Sequence, residues 1–224
     1  MIEEILPAAV SAVEAFDDPP GAVLFPEEAA VVAKAGENRR REFTTARSCA
    51  HQALMGLGVP PFPILPGERG APRWPDGIVG CITHCAAYRA AAVARAHEIL
   101  TVGIDAEPND ALPDGVLDLI SLQQERVMLA ELAAIRGTYW DRLLFCAKES
   151  VYKAWFPLTR RWLGFEDAEV IINPDNGTFN ATLLIPAAEA EKHEPTGFAG
   201  RWLNRNGLLI TAIAVAAPGA VPGH

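Results

Sequence analysis

Apolar residues change their spacing along the chain, and the changes mark its elements. Between residues 37 and 57, Phe43, Ala46, Ala50 and Leu54 recur at intervals of three and four, which predicts a helix with one apolar face. Arg39 and Arg40 lie two turns before Arg47, so their guanidinium groups gather along another side of that helix. Upstream, Asp17-Asp18-Pro19-Pro20 is a breaker, and Pro26-Glu27-Glu28 reads as a first helical turn, where proline is tolerated and acids favour the positive end of the dipole. Residues 58–80 hold too many prolines and glycines for a helix or a central strand. Ile78, Val79, Cys81 and Ile82 predict a short strand. Residues 90–96 suit a strand or, through their alanines, a helix, and 99–104 predict a better strand, β-branched and with a glycine at 103. A loop over 108–115 precedes a helix over 117–135. A second helix starts at Thr138 or Tyr139 and runs to about Trp155, where Pro157 ends or bends it. Strands are then predicted over 168–172, 179–185 and 207–215, with Pro174-Asp175-Asn176-Gly177 as a hairpin turn between the first two. The tail from Pro218 is expected to fray. Helices followed by strands in each half predict an α+β protein of two lobes, 1–103 and 104–224.

Composition narrows the function classes. Half of the 224 residues are hydrophobic and 21% are charged, which excludes wholesale disorder. Nineteen basic against 28 acidic side chains give a net charge of −9. That balance argues against a nucleic-acid coat and a polybasic membrane anchor, while leaving room for a local phosphate site. No apolar run approaches the ~20 residues of a membrane span, and the opening MIEEILPAAV is acidic without a long apolar stretch, so no signal peptide is expected. The four cysteines, Cys49, Cys81, Cys85 and Cys146, then suit a reduced cytoplasmic setting. Cys81 and Cys85 lack the second close Cys/His pair that a zinc site needs.

Three features carry chemistry. In Gly103-Ile104-Asp105-Ala106-Glu107 an extended backbone turns Asp105 and Glu107 to one side and Ile104 and Ala106 to the other. Two adjacent carboxylates repel unless a cation or a shared proton relieves them, and oxygen ligands of this type suit magnesium or manganese; an acidic strand end at the surface is the bland alternative. In Lys148-Glu149 with Lys153, Glu149 and Lys153 lie one turn apart on a helix that is otherwise largely apolar. Unpaired charges there would be costly, and a metal ion with phosphates would satisfy them together. His84, in Thr83-His84-Cys85, ends a short strand beside the loop that carries Arg69.

Together these pieces resemble the 4′-phosphopantetheinyl transferases of the single-chain type related to enterobactin-synthase and actinobacterial enzymes. That family joins a G-I-D-x-E strand to an F-x-x-K-E-x-x-x-K helix about forty residues later, as Gly103–Glu107 and Phe145–Lys153 do here. Outlying matches are Glu42-Phe43 with Arg47, Gly67-Glu68-Arg69-Gly70 with Trp74-Pro75, Thr83-His84-Cys85, and GRWLNRNGLLITAIAV, so the resemblance spans about residues 37 to 216. The paired motifs at this separation are specific where a lone GIDAE would not be.

The resemblance implies a fold of two similar α+β lobes related by pseudo-two-fold symmetry. It also implies transfer of the 4′-phosphopantetheine arm of coenzyme A to a serine of an acyl- or peptidyl-carrier protein, with release of adenosine 3′,5′-bisphosphate. Mg²⁺ or Mn²⁺ would be held by Asp105, Glu107 and Glu149. Glu149, or a metal-bound water it positions, would take the serine proton, and Lys153 would meet the phosphates and serve the departing bisphosphate. Lys148, Arg39, Arg40, Arg47, His84, Arg69 and Arg73 complete the expected coenzyme A contacts. Some close relatives carry a lysine where this chain has Pro66, a place Arg69 is expected to cover. A monomer without nucleic-acid or membrane partners is expected. Residues 112–129 are the implied carrier-docking surface, with Arg126 its sole positive charge. A metal-dependent nuclease would use the same carboxylates, but the acidic balance weighs against it. A catalytically silent coenzyme A-binding module is disfavoured by the intact Asp105, Glu107, Glu149 and Lys153.

Overall fold

A computed structural model describes residues 1–19, 21–185 and 194–220. The chain forms two compact units, one of Met1–Val102 with the stretch from Ala214 onward, the other of Gly103–Ile213.

In the first unit, β1 (Val10–Ala15), β2 (Ile78–Cys85) and β3 (Tyr88–Arg95) form an antiparallel sheet in the order β1-β3-β2. A short helix α1 (Pro26–Val31) precedes the 20-residue α2 (Glu37–Gly56). The predicted apolar face of α2 is the buried one: Phe43, Ala46, Ala50 and Leu54 are all buried, and Ala50 and Leu54 pack with Ile78, Ala91 and Val93. The alanine run resolves as strand rather than helix. Ala90 to Ala94 have no exposed surface at the centre of the sheet, and small side chains there let α2 pack closely over β3. The proline-rich segment before β2 forms no long element but is tied down. Pro66 bridges Pro72, and the Trp74 indole N–H donates to the Gly80 carbonyl at 2.9 Å.

The second sheet has the order β4-β8-β7-β6-β5, with β4 (Ile99–Pro108), β5 (Ala168–Asn173), β6 (Thr178–Leu183), β7 (Gly197–Arg205) and β8 (Leu208–Ala216). The helix expected over 117–135 is two helices, α3 (Val116–Ile120) and α4 (Gln123–Leu132). Between them Ser121 and Leu122 are extended, and Glu125 reaches back to the Leu122 N–H at 2.7 Å, starting a new helix where the periodicity predicted continuity. Helix α5 (Trp140–Thr159) runs through Pro157 and stops at Arg160 in the left-handed region, φ 58°. The 174–177 turn closes β5–β6 as expected. Two strands, β1 and β7, lack a strong sequence signal. In β7, Gly200 lies opposite Phe179 and any side chain at 200 would collide with that ring, so the glycine that weakens the strand pattern makes room for the aromatic. Asn206 and Gly207, at φ 55° and 75°, make the tight β7–β8 turn. The tail expected to fray lies outside the described residues from 221 onward.

Candidate functional site

In the second unit, β4 and α5 bring the two motifs together. Gly103 permits this: a Cβ there would lie 2.8 Å from the Ala154 nitrogen and collide with the Ser150 carbonyl, so only glycine lets the strand approach the helix backbone. Ser150 and Ala154 directly follow Glu149 and Lys153, so the close approach aligns the acidic strand end with the charged helix face. Ile104 and Ala106 are buried on the other side of the strand, as the alternation predicts. The Lys153 ammonium donates to Asp105 Oδ1 at 2.6 Å. Arg142, which belongs to neither motif, donates to Glu107 Oε2 at 3.0 Å and to the carbonyls of Asp110 and Ala111 at 3.1 and 2.7 Å. It lies two turns before Glu149 on α5, a spacing that could have flagged it.

The Asp105 charge reaches both other carboxylates. Burial and then the Asp105 charge push the Glu149 carboxyl above its ordinary value, against Lys153. Glu107 is raised in the same way, by burial and then Asp105, against Arg142. Among the described residues no three His, Cys, Asp or Glu side chains stand ready around a metal position. The fit is one of charge and donor type: crowded carboxylate oxygens, two of them facing Lys153 and Arg142, form an anionic set that a hard divalent cation would relieve.

Lys148 has a different setting. Its ammonium is buried, 2.8 Å from Glu125 and 2.7 Å from the Phe165 carbonyl. Glu125 also accepts from the Leu122 and Val170 N–H groups. The pair joins α4, α5 and the start of the β5 segment, and burial pulls the Lys148 pKa down although Glu125 opposes this. Beside it, a cavity of about 150 Å³ is walled by Glu149, Tyr152, Trp162, Leu163 and Phe165.

The first unit carries a basic cavity of about 360 Å³. Arg39, Phe43 and Arg47 of α2 form one wall, Ile82 and His84 of β2 another, and Pro66 and Pro72 a third. Arg47 is 6% exposed; its Nε donates to the Ile64 carbonyl at 2.7 Å and its guanidinium lies 4.2 Å from the Phe43 ring centroid. Burial lowers its pKa to about 10; Glu28 opposes that shift and Arg39 adds to it. Arg39 donates from Nη1 to His84 Nε2 at 3.1 Å, so the imidazole accepts there and holds its own proton on Nδ1. Arg40 instead folds back onto the Ala35 and Ala33 carbonyls. Arg69, at φ 51°, and Arg73 lie in the proline-rich segment and do not line the cavity, whereas Pro66 does. Of the expected phosphate contacts, the structure therefore gathers Arg39, Arg47 and His84.

The chain is thus built of two α+β units, the first with a basic cavity and the second with neighbouring carboxylates beside Lys153 and Arg142. Residues 27–94 match the 4′-phosphopantetheinyl transferase N-terminal domain, and residues 101–206 match the 4′-phosphopantetheinyl transferase superfamily. The chain is 55% identical to 4′-phosphopantetheinyl transferase Svp of Streptomyces mobaraensis, over 97% of this chain and 90% of that protein. It is 48% identical to 4′-phosphopantetheinyl transferase PptT of Mycobacterium tuberculosis, over 96% and 98%. Identity to enterobactin synthase component D of Salmonella typhi is 31%, over 80% and 74%. The chain belongs to the 4′-phosphopantetheinyl transferase superfamily and is an enzyme that transfers the phosphopantetheine group to carrier proteins.

Proposed function

We propose that the donor is coenzyme A, that the acceptor is a serine of an acyl- or peptidyl-carrier protein, and that adenosine 3′,5′-bisphosphate leaves. The observation that carries this reading is the close approach of β4 to α5 at Gly103, which sets Asp105 against Lys153 and brings its charge to bear on Glu107 and Glu149. Asp105, Glu107 and Glu149 would hold Mg²⁺ or Mn²⁺, which supplies neutralising charge for the pyrophosphate.

The chain's own residues account for the remaining work. Serine is a weak nucleophile at neutral pH and needs a base. Glu149 suits that task as the carboxylate one helical turn from Lys153 on α5. Lys153 carries positive charge to the phosphates and can return a proton to the departing bisphosphate. Arg39, Arg47 and His84 offer donors for the 3′-phosphate, Arg47 through a planar guanidinium suited to paired phosphate contacts. The neutral pantetheine arm suits the mostly apolar cavity beside Glu149. Lys148 serves by fixing α5 through Glu125 rather than by touching phosphate. Four free cysteines suit a reducing cytoplasm, and among the described residues no helix is long and apolar enough to cross a membrane. We read the enzyme as a cytoplasmic monomer.

Intact-mass spectrometry of apo-carriers incubated with the protein, coenzyme A and Mg²⁺ tests the reading. The expected result is a gain of one phosphopantetheine on the carrier serine, abolished by chelation and restored by Mg²⁺ or Mn²⁺. No gain across fatty-acid, polyketide and peptide carriers would overturn it.

A further inference from the structure

The basic cavity is braced from behind by a buried carboxylate that touches none of the phosphate-facing donors. Glu28, on α1, has no exposed surface. Its Oε1 accepts from His51 Nε2 at 2.9 Å and from the Ile64 N–H at 2.8 Å, and its Oε2 accepts from the Phe25 N–H at 3.0 Å. An ionised carboxylate only accepts, so His51 is the donor. His51 lies one turn after Arg47 on α2, and Ile64 is the residue whose carbonyl holds Arg47 Nε. The Ile64 peptide groups are therefore fastened on both sides, the N–H by Glu28 and the C=O by Arg47. Residues around Ile64 have no helix or strand of their own to fix them, yet Pro66 and Pro72 from this segment wall the cavity. The Glu28 charge also counters the cost of burying Arg47.

We infer that Glu28 and His51 are positioning residues that set Arg47, through Ile64, for binding the 3′-phosphate of coenzyme A. This rests on the reading of the cavity as the phosphate cradle. Replacing Glu28 by Gln puts an NH₂ group where one of three donors is now accepted and removes the charge facing Arg47. Ile64 then loses its fixed place, and Arg47 loses its anchor at Nε. A side chain that served the fold alone would weaken all ligands alike, or none. One that acts through Arg47 weakens the ligand Arg47 reads, and does so only while Arg47 is present.

Calorimetric titration of the full chain with coenzyme A and 3′-dephospho-coenzyme A, alongside thermal melts, tests this. Glu28→Gln is expected to weaken coenzyme A by about tenfold, equivalent to ~1.4 kcal/mol, with a much smaller loss for the dephospho ligand. The double variant E28Q/R47A should bind coenzyme A no more weakly than R47A alone. Where E28Q does not fold, His51→Leu replaces it, since this leaves both backbone bonds to Glu28; His51→Gln, which restores a donor, should recover the parental selectivity. Parental affinity, equal losses for both ligands, or additivity with R47A overturns the positioning role while the cradle stands. If R47A itself shows no selective loss, the cradle reading falls and takes this inference with it.

Discussion

Glu27 and Glu28 are neighbours in the first turn of α1, and the sequence gives them the same role; the structure leaves Glu27 in solvent and takes Glu28 wholly out of it. Burial alone would push the Glu28 carboxyl up. Hydrogen bonds from His51, Ile64 and Phe25 outweigh that and hold it below its ordinary 4.5. A folded-state pKa below the unfolded one contributes stability that is present above about pH 4.5 and is lost as pH falls through the folded value. Denaturant melts should therefore show a gap between the parent and Glu28→Gln of ~1–3 kcal/mol at neutral pH, narrowing steadily below about pH 4.5. A gap that widened in acid would contradict this assignment. Lys148 and Lys153 divide in the same way: both lie in the recognised motif, but Lys153 reaches Asp105 while Lys148 is buried against Glu125. Lys148→Ala leaves that carboxylate buried without its cation and should cost ~3–5 kcal/mol in denaturant melts, so its loss of transfer should track its loss of folded protein. Motif spacing identified these charged residues. It could not tell which faced a site and which faced the core, because that depends on partners such as Arg142, His51 and Glu125 that come from other places in the chain.

At the scale of elements, the helix α2, the long helix α5 and the strand β4 were legible because their apolar period and turn residues agree with their packing. Failures arose where tertiary fit overrides propensity. The glycines of β7 hide a strand whose Gly200 accommodates Phe179, while the alanine-rich stretch 90–96, open to strand or helix, resolves as strand because its small side chains let α2 pack closely over it. The break between α3 and α4 depends on Glu125, whose reach to Leu122, Val170 and Lys148 is not a matter of periodicity. Gly103 shows the strongest element-level constraint, since its missing Cβ is what lets β4 lie against α5. Gly103→Ala must drive the helix backbone away and should destabilise by ~1–3 kcal/mol, the usual cost of overpacking. Because the displaced stretch includes Glu149 and Lys153, a folded G103A protein should also transfer more slowly in single-turnover assays. Parental stability together with parental rate would show that the approach of the two elements is not what aligns the motifs.

For the whole molecule, a net charge of −9 looks unfavourable for an enzyme whose donor is a polyanion. Local arrangement decides instead. Arg39, Arg47 and His84 meet at the first unit's cavity, and the neighbouring carboxylates of the second unit have the charge to hold a cation. Variants in the two units should therefore fail in different ways. Arg47→Ala removes a charged donor and should weaken coenzyme A by ~1.5–3 kcal/mol in calorimetry, with less loss for the 3′-dephospho ligand and an unchanged dependence of transfer on Mg²⁺ concentration. Asp105→Asn keeps size and hydrogen-bonding capacity but removes the charge that adds to burial in raising both Glu107 and Glu149. Relief of that repulsion is offset by the loss of charge opposite Lys153, so the metal-free fold should survive with little change in melting temperature. Mg²⁺, with coenzyme A present, should raise the melting temperature of the parent more than that of D105N, by ordinary linkage. Transfer by D105N should fall steeply and recover in part as Mg²⁺ is raised, while R47A should recover with coenzyme A instead. A D105N protein that keeps the parental Mg²⁺ shift and the parental rate would remove Asp105 from the metal set, and an R47A protein rescued by Mg²⁺ would join the two functions that the charge distribution separates.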